Sequence, residues 1–228
     1  MGNLQIPSTW NRVVLGTARV APSVSRTGDI VLPPIAGAAG LPLELAGLMP
    51  NRDHNGDLLR EVESLPHCLP GQRPVIGILA ADPFLRIDQL ADRLAGKGYR
   101  DVANLQSVSQ YGAAFRPLLN DLNVGPAREI GVLNEFAKLA FSVSVAVAHN
   151  DDIAPALGLA PSRLFVVASF DLWRDRTLDS SGLLALCSEV AERRQRASPH
   201  TQIVLFAGRT SISPTQARNA GADGILLD

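Results

Sequence analysis

RPVIGILAADPFLRIDQLADRLAGKGYRDVANLQ, residues 73–106, is the stretch that decides the fold. Residues 75–80 form an almost continuous apolar run, which is typical of a strand buried on both faces of a parallel sheet. Asp82 and Pro83 then predict a helix N-cap followed by proline at the first helical position. Residues 87–94 carry apolar side chains at i, i+3, i+4 and i+7, which indicates an amphipathic helix.

A second strand follows that helix over residues 102–105, after Gly96 and Gly98 end the helix. Strand, helix and strand make a βαβ unit, which requires a crossover and parallel pairing. The alternation continues along the chain and predicts eight strands. They cover residues 12–17, 29–32, 75–80, 102–105, 141–148, 164–169, 202–207 and 224–227.

Eight strands alternating with helices favour a (β/α)₈ TIM barrel, formed by residues 1–228 as a single domain. A Rossmann-like open sheet is the alternative, but no G-x-G-x-x-G motif follows the first strand to support it. The predicted barrel is incomplete at the seam between its eighth and first strands. The first helix is reduced to residues 19–28, and no eighth helix follows residue 227. Because this seam leaves apolar strands uncovered, we expect a homodimer that buries it.

Composition narrows the classes of function. The net charge is −1 and no apolar run is long enough to cross a bilayer, so neither nucleic acid nor a membrane is expected as a partner. The two cysteines lack metal-ligand spacing, and residues 1–10 lack the features of a signal peptide, which favours a cytoplasmic protein. Lys97 and Lys138 are the only lysines, and both lie away from the strand ends, which argues against Schiff-base chemistry.

Active sites of TIM barrels lie at the carboxyl ends of the strands, so the residues that end the predicted strands should meet at one rim. These residues are Thr17, Leu32, Asp82, Gln106, His149, Ser169, Gly208 and Asp228. Asp82 is a candidate for catalysis and for holding Mg²⁺ through water, or is only a helix cap. His149 is a candidate for proton transfer, or is a loop histidine before a capped helix.

Other polar residues near the strand ends are candidates for substrate binding. Asn104 and Gln106 have amides that suit a carboxylate, with a polar strand end facing water as the alternative. Gly208 and Arg209 follow the seventh strand, where barrels often hold phosphate, and arginine suits bidentate anion binding. Ser169 ends the sixth strand.

Two long loops add candidates. Asn51 to Asn55 form the densest polar cluster of the chain. If this loop closes over the site, Arg52 would clamp an anion and His54 would act as an acid or base, whereas the alternative is a hydrophilic turn. Arg116, in the loop over residues 107–125, is a candidate for substrate binding on the same grounds.

Several segments resemble the TIM-barrel phosphoenolpyruvate-hydrolase-like family, distant relatives of phosphonopyruvate mutase and isocitrate lyase. They are LAGLMPNRDHNGDLL (45–59), PVIGILAADPF (74–84), GYRDVANLQSV (98–108), the loop through Phe115-Arg116, and LFAGRTSISPTQARNAGADGILLD (205–228). The resemblance covers residues 40–228 in order and implies a barrel that binds a small carboxylate or phosphonate, with Mg²⁺.

The resemblance implies a lyase, mutase or hydrolase of the phosphoenolpyruvate mutase-like type that acts on a small 2-oxo acid or phosphonate. Ser169 or Phe170 stands at the place where family members show a histidine, and the first loop is shortened. These departures keep a second hypothesis open, namely a catalytically degenerate ligand-binding or regulatory barrel.

Overall fold

The computed structural model describes residues 11–13, 15–16, 30–32, 48, 53–174, 177–207 and 212–226. The strands are β1 (Asn11–Val13), β2 (Leu15–Gly16), β3 (Ile30–Leu32), β4 (Val75–Gly77), β5 (Asp101–Ala103), β6 (Ser142–Val147), β7 (Arg163–Val166), β8 (Trp173–Arg174), β9 (Thr177–Leu178), β10 (Gln202–Phe206) and β11 (Gly224–Leu226). The α-helices are α1 (His54–Glu61), α2 (Ile87–Gly96), α3 (Arg116–Asp121), α4 (Pro126–Lys138), α5 (Asn150–Gly158), α6 (Ser180–Ala197) and α7 (Pro214–Asn219).

Six consecutive parallel pairings join β3, β4, β5, β6, β7, β10 and β11 into one sheet. Each connection between these strands contains at least one α-helix, as parallel pairing requires. The βαβ units predicted from the alternation are therefore confirmed, and the chain has an α/β fold. The closed barrel of eight strands stays a prediction.

The N-terminal strand differs from the prediction. β1 pairs with β3 and β2 pairs with β11, and both pairings are antiparallel. The expectation of a parallel first strand that ends at the same rim as the others was therefore wrong. An antiparallel neighbour needs no crossover helix, which explains why the connection before β3 is so short. Thr17 itself lies outside the described residues.

The parallel strands bury both of their faces, and each face belongs to a different hydrophobic cluster. Ile76 and Val102 pack with the helices in the larger cluster, whereas their neighbours Val75 and Ala103 belong to the second cluster. The second cluster draws its members from the strands or their carboxyl ends alone, from β3 around to β11. The sheet must therefore curl so that its inner face packs on itself.

Helix starts show where the sequence signals held. Ser213 and Gln216 form a capping box at the start of α7, and Pro126 is the first residue of α4. The prediction that Asp82 caps a helix was wrong, because α2 begins at Ile87 with Arg86 as its N-cap. In the part of the chain that the structure describes, no helix is long and apolar enough to cross a membrane.

Candidate functional site

Four of the predicted site residues follow neighbouring strands at one edge of the sheet. Asp82 follows β4, Gln106 follows β5, His149 follows β6 and Ser169 follows β7. Because these strands are parallel neighbours, their carboxyl ends share an edge, which is where TIM barrels carry their active sites.

Five predicted residues lie outside the described part of the chain, namely Thr17, Arg52, Gly208, Arg209 and Asp228. Their predicted places and roles therefore stay predictions.

Helix α1 brings its first residues against the loop that follows β4. Asp53 is the N-cap, and its Oδ1 accepts a hydrogen bond from the Gly56 amide at 2.7 Å. His54 and Asn55 come next and are both buried. Asn55 Nδ2 donates to the Leu79 carbonyl oxygen at 2.8 Å, and Asn55 Oδ1 accepts from the Leu79 amide at 3.1 Å. This paired bond fixes the start of α1 to the end of β4.

The same asparagine holds the carboxylate of Asp82. Asn55 Nδ2 donates to Asp82 Oδ2 at 2.9 Å, and the Phe84 amide donates to Asp82 Oδ1 at 2.8 Å. Asp82 therefore forms an Asx turn rather than a helix cap. Arg128 fixes the turn from α4, since its guanidinium donates to the carbonyl oxygens of Ala81 and Asp82 at 3.1 and 3.0 Å.

The first residues of α1 and the turn at Asp82 line a cavity of about 960 Å³. Asp53, His54, Asn55 and Asp82 supply its polar end, and the rest of the wall is mostly apolar. A cavity of this size with few convergent polar groups is typical of a small-molecule site. The predicted catalytic residues His54 and Asp82, separated by 28 positions in the sequence, are thus brought together.

A magnesium ion fits this end of the cavity only in a water-rich form. Each oxygen of Asp82 accepts one hydrogen bond and keeps a second lone pair, and Asp53 is a second carboxylate on the same wall. Magnesium commonly uses one or two carboxylates with several waters. Among the described residues there is no group of three or more metal-ligating side chains.

His149 lies at the same edge but is held by the backbone. Its Nε2 lies 3.2 Å from the carbonyl oxygen of Tyr111, to which it can donate. Tyr111 in turn donates from its hydroxyl to the Leu48 carbonyl oxygen at 3.0 Å, and burial raises the pKa of that hydroxyl. His149 thus helps to hold the loop that carries Tyr111 against the cavity, and its predicted catalytic role stays a prediction.

Asn104 belongs to a closed, buried network. Its Nδ2 donates to Glu129 Oε2 at 2.8 Å, and its Oδ1 accepts from the Ala146 amide of β6 at 2.8 Å. Glu129 also accepts from the Ser107 hydroxyl and the Val108 amide. The amide of Asn104 is thus engaged on both sides within the protein.

Glu129 is the centre of that network and was not predicted. Burial raises the pKa of its carboxyl to about 7, although hydrogen bonds from Ser107, Val108 and Asn104 oppose the rise. A signal for it was present, because Glu129 stands at i on the buried stripe of α4 that continues at i+3, i+4 and i+7.

Gln106 and Gln110 are fully buried in the loop after β5. Gln110 Nε2 donates to the carbonyl oxygen of Ala168, next to Ser169, at 3.1 Å. Both side-chain polar atoms of Gln106 lack a hydrogen-bond partner, and its φ of 93° is unusual for a residue other than glycine. Among the predicted binding residues, Gln106 therefore keeps a free amide.

Arg116 is occupied by an ion pair. Its guanidinium donates to both carboxylate oxygens of Asp152, at 3.1 and 2.6 Å. The pair raises the pKa of Arg116, and both side chains are largely buried. A substrate anion at Arg116 would have to compete with Asp152.

Comparison with known proteins gave no matching family model. Two tomato (Solanum lycopersicum) proteins match, the ToMV susceptible protein tm-1(GCR26) and the ToMV resistance protein Tm-1(GCR237). Each is 25% identical over 179 residues, which are 76% of this chain and 23% of the tomato protein. The chain therefore spans about a quarter of the length of the relatives it matches.

Solved structures of similar shape include the PaMucR phosphodiesterase in its c-di-GMP complex, with a TM-score of 0.53 and 13% identity over 96% of this chain and 92% of that one. BlrP1 of Klebsiella pneumoniae, in a calcium and cyclic di-GMP complex, has a TM-score of 0.54 and 13% identity over 100% of this chain and 56% of that one. At such low identity these likenesses concern the fold alone, and they fit a partial barrel built on the curled parallel sheet.

Proposed function

We propose that this chain is an enzyme that acts on a small 2-oxo acid or phosphonate in the cavity beside β4. The proposal rests on one observation, which is that His54 and Asp82 line the same cavity. Asn55, which follows His54 in the chain, donates a hydrogen bond to Asp82. An imidazole and a carboxylate at the active edge of a barrel can move a proton and orient an acid.

The roles follow from the contacts. His54 is the proposed acid or base. Asp82, fixed by Asn55 and by the Phe84 amide, is the proposed metal or substrate anchor. Arg52 and Arg209 are the proposed anion clamp by sequence position. A Mg²⁺ ion bound by Asp82 and water would supply positive charge for the substrate's oxygen atoms.

The reaction type rests on two kinds of support. The resemblance to the phosphoenolpyruvate-hydrolase-like family favours cleavage or rearrangement beside a carboxylate. One structural neighbour is a phosphodiesterase, so a fold of this shape is compatible with hydrolysis. The proposal therefore covers hydrolase, lyase and mutase reactions, which the products formed from each compound would distinguish.

A second candidate function is a ligand-binding or regulatory barrel that has lost catalysis. Two observations favour it: the side chains of Arg116 and Asn104, both predicted to bind substrate, are engaged within the protein. The two hypotheses differ in turnover rather than in binding.

The test combines binding and turnover. Wild-type protein is screened by thermal shift with pyruvate, oxaloacetate and phosphonopyruvate, with and without Mg²⁺, and consumption of each compound is followed by NMR. His54→Gln and Asp82→Asn should abolish turnover, while His67→Gln, which changes an exposed histidine, should not. Binding without turnover in the wild type would support the regulatory barrel, and absence of both would contradict the proposal.

We further propose a homodimer that covers the seam between the last strand, β11, and the N-terminal strand. β2 pairs with β11 there in the antiparallel direction. Light scattering at micromolar concentration measures the mass, and a species of 24.2 kDa would contradict a dimer.

A further inference from the structure

The cavity has an apolar wall that the small-acid proposal leaves unused. A third hydrophobic cluster, separate from the two cores of the sheet, lies under the loops at the active edge. Its members are Leu48, Ala81, Val108, Leu79, Tyr111 and Leu119. All six line the cavity, and Leu79, Tyr111 and Leu119 are only partly buried. Apolar surface is therefore left open inside the cavity.

Phe84 stands on the same cavity and is 87% exposed. Its backbone amide is tied to the Asp82 carboxylate, so the turn that presents the ring is fixed by the polar end of the cavity. The ring belongs to none of the three hydrophobic clusters. An aromatic ring exposed on a cavity wall offers a large apolar surface for a ligand to cover.

The size of the cavity also favours a ligand larger than a three-carbon acid. Cavities of roughly 300 to 1,000 Å³ accommodate drug-sized ligands, and this one measures about 960 Å³. A three-carbon acid held by His54 and Asp82 would leave most of that space, and all of the apolar wall, in contact with water.

We propose that the substrate carries a planar apolar group, of the size of an aromatic ring, which packs on Phe84 and against the third cluster. Its acidic group lies at the polar end of the cavity, beside His54, Asn55 and Asp82. This inference rests on the proposed function for the acidic end, and it adds a subsite that selects substrates by their apolar part. Arg86 also lines the cavity and brings a positive charge to its wall.

The experiment compares acids that differ only in the ring. Dissociation constants of pyruvate and phenylpyruvate, and of methylphosphonate and phenylphosphonate, are measured by calorimetry on the wild-type protein. A ring that packs on an aromatic side chain and apolar walls should bind about tenfold more tightly than its methyl counterpart.

Variants then assign the effect to Phe84. Phe84→Ala should remove most of the tenfold preference, and Phe84→Leu should keep part of it, because leucine retains apolar contact without the ring. Phe115→Ala is the matched control, since Phe115 is 56% exposed and does not line the cavity. Since Phe84 is so exposed, its variants should fold normally, and circular dichroism of each variant tests this.

The outcomes separate this inference from the proposed function. Equal affinity for ring and methyl compounds, or a preference unchanged in Phe84→Ala, overturns the subsite even if pyruvate is turned over. A preference for the ring that Phe84→Ala abolishes supports the subsite even if no compound is turned over. Failure of all four compounds to bind overturns both proposals.

Discussion

Two polar groups of residues lie at the same edge of the sheet, and they differ in whether they line a cavity. After β5, the hydrogen bonds among Asn104, Ser107 and Glu129 close on one another and on backbone amides. Beside β4, His54 and Asp82 face a cavity of about 960 Å³. Polar residues at a strand end therefore do not by themselves mark a site, and those that also line a cavity are the better candidates.

The largest expected effect tests whether the β5 network is structural. Asn104→Ala removes the donor to Glu129 and leaves the buried Ala146 amide without its acceptor. Buried groups left unpaired cost roughly 1–3 kcal/mol each, so we expect a loss of about 4 kcal/mol in the free energy of unfolding. Urea denaturation measures it, with Asn134→Ala on the exposed face of α4 as the control. A loss below about 1 kcal/mol would show that the network is not closed.

The second expected effect is a dependence of the free energy of unfolding on pH, which the Glu129 carboxyl group causes. Its pKa is raised from 4.5 to about 7 in the folded protein, so the folded state binds the proton more tightly than the unfolded state. Stability from this group is thus fully present below about pH 4.5 and is lost as the pH rises through 7. A shift of this size corresponds to about 3 kcal/mol.

Glu129→Gln should remove that dependence, because glutamine does not titrate. The measurement is the free energy of unfolding of wild type and variant at pH 5, 6, 7 and 8, taken as a difference so that other carboxyl groups cancel. The wild type should lose stability relative to the variant as the pH rises. Glu135→Gln, exposed on the same helix, should follow the wild type. Parallel curves for the wild type and Glu129→Gln would contradict the raised pKa.

The fold could be predicted from the sequence further than the site. Apolar runs such as residues 75–80 and the helix stripe at residues 87–94 report local burial, which periodicity records directly. The direction of the N-terminal strand could not be predicted, because strand pairing is a long-range property. Asp82 was predicted to be a helix N-cap because Asp-Pro is typical of a helix start. Its carboxylate instead accepts hydrogen bonds from the side chain of Asn55 and the backbone amide of Phe84.

The site was harder to predict than the fold, because its interacting residues lie far apart in the sequence. His54 and Asp82 were each singled out, but only the fold brings them to one cavity. Arg116 was chosen as an anion-binding residue, and its carboxylate partner Asp152 lies 36 positions away on another helix. No local pattern distinguishes a free arginine from a paired one.

A third, smaller effect tests that pairing. Arg116→Met removes the bidentate partner of Asp152, which is 7% exposed, and leaves a largely buried carboxylate unpaired. Since Arg116 keeps some exposure to water, we expect a loss of about 2 kcal/mol. Asp152→Leu in the Arg116→Met background should recover part of the loss. A double-mutant cycle by urea denaturation measures the coupling, and additive losses would show that the two side chains act independently.

The smallest expected change in stability is at Asp82, and it decides whether the β4 side is a site. Asp82→Asn keeps one acceptor oxygen, but the new amide nitrogen must face either the Asn55 Nδ2 donor or the Phe84 amide. Asn55 cannot turn over to adapt, because both ends of its amide are engaged with Leu79. Because Asp82 is half-buried, water can restore part of the lost bonding, so we expect a loss of only about 1 kcal/mol.

The same variant should lose any thermal stabilisation by Mg²⁺, because a water-bound magnesium ion depends on the negative charge that asparagine lacks. Thermal shift with and without Mg²⁺ measures this, with Asp92→Asn on the exposed face of α2 as the control. Three results are informative: Mg²⁺ stabilisation lost only in Asp82→Asn supports a metal at this carboxylate. Stabilisation that survives in Asp82→Asn places the ion elsewhere. A wild type without any Mg²⁺ response would leave Asp82 as an anchor for the turn that carries Phe84, and His54 would then be the remaining candidate for chemistry on this cavity.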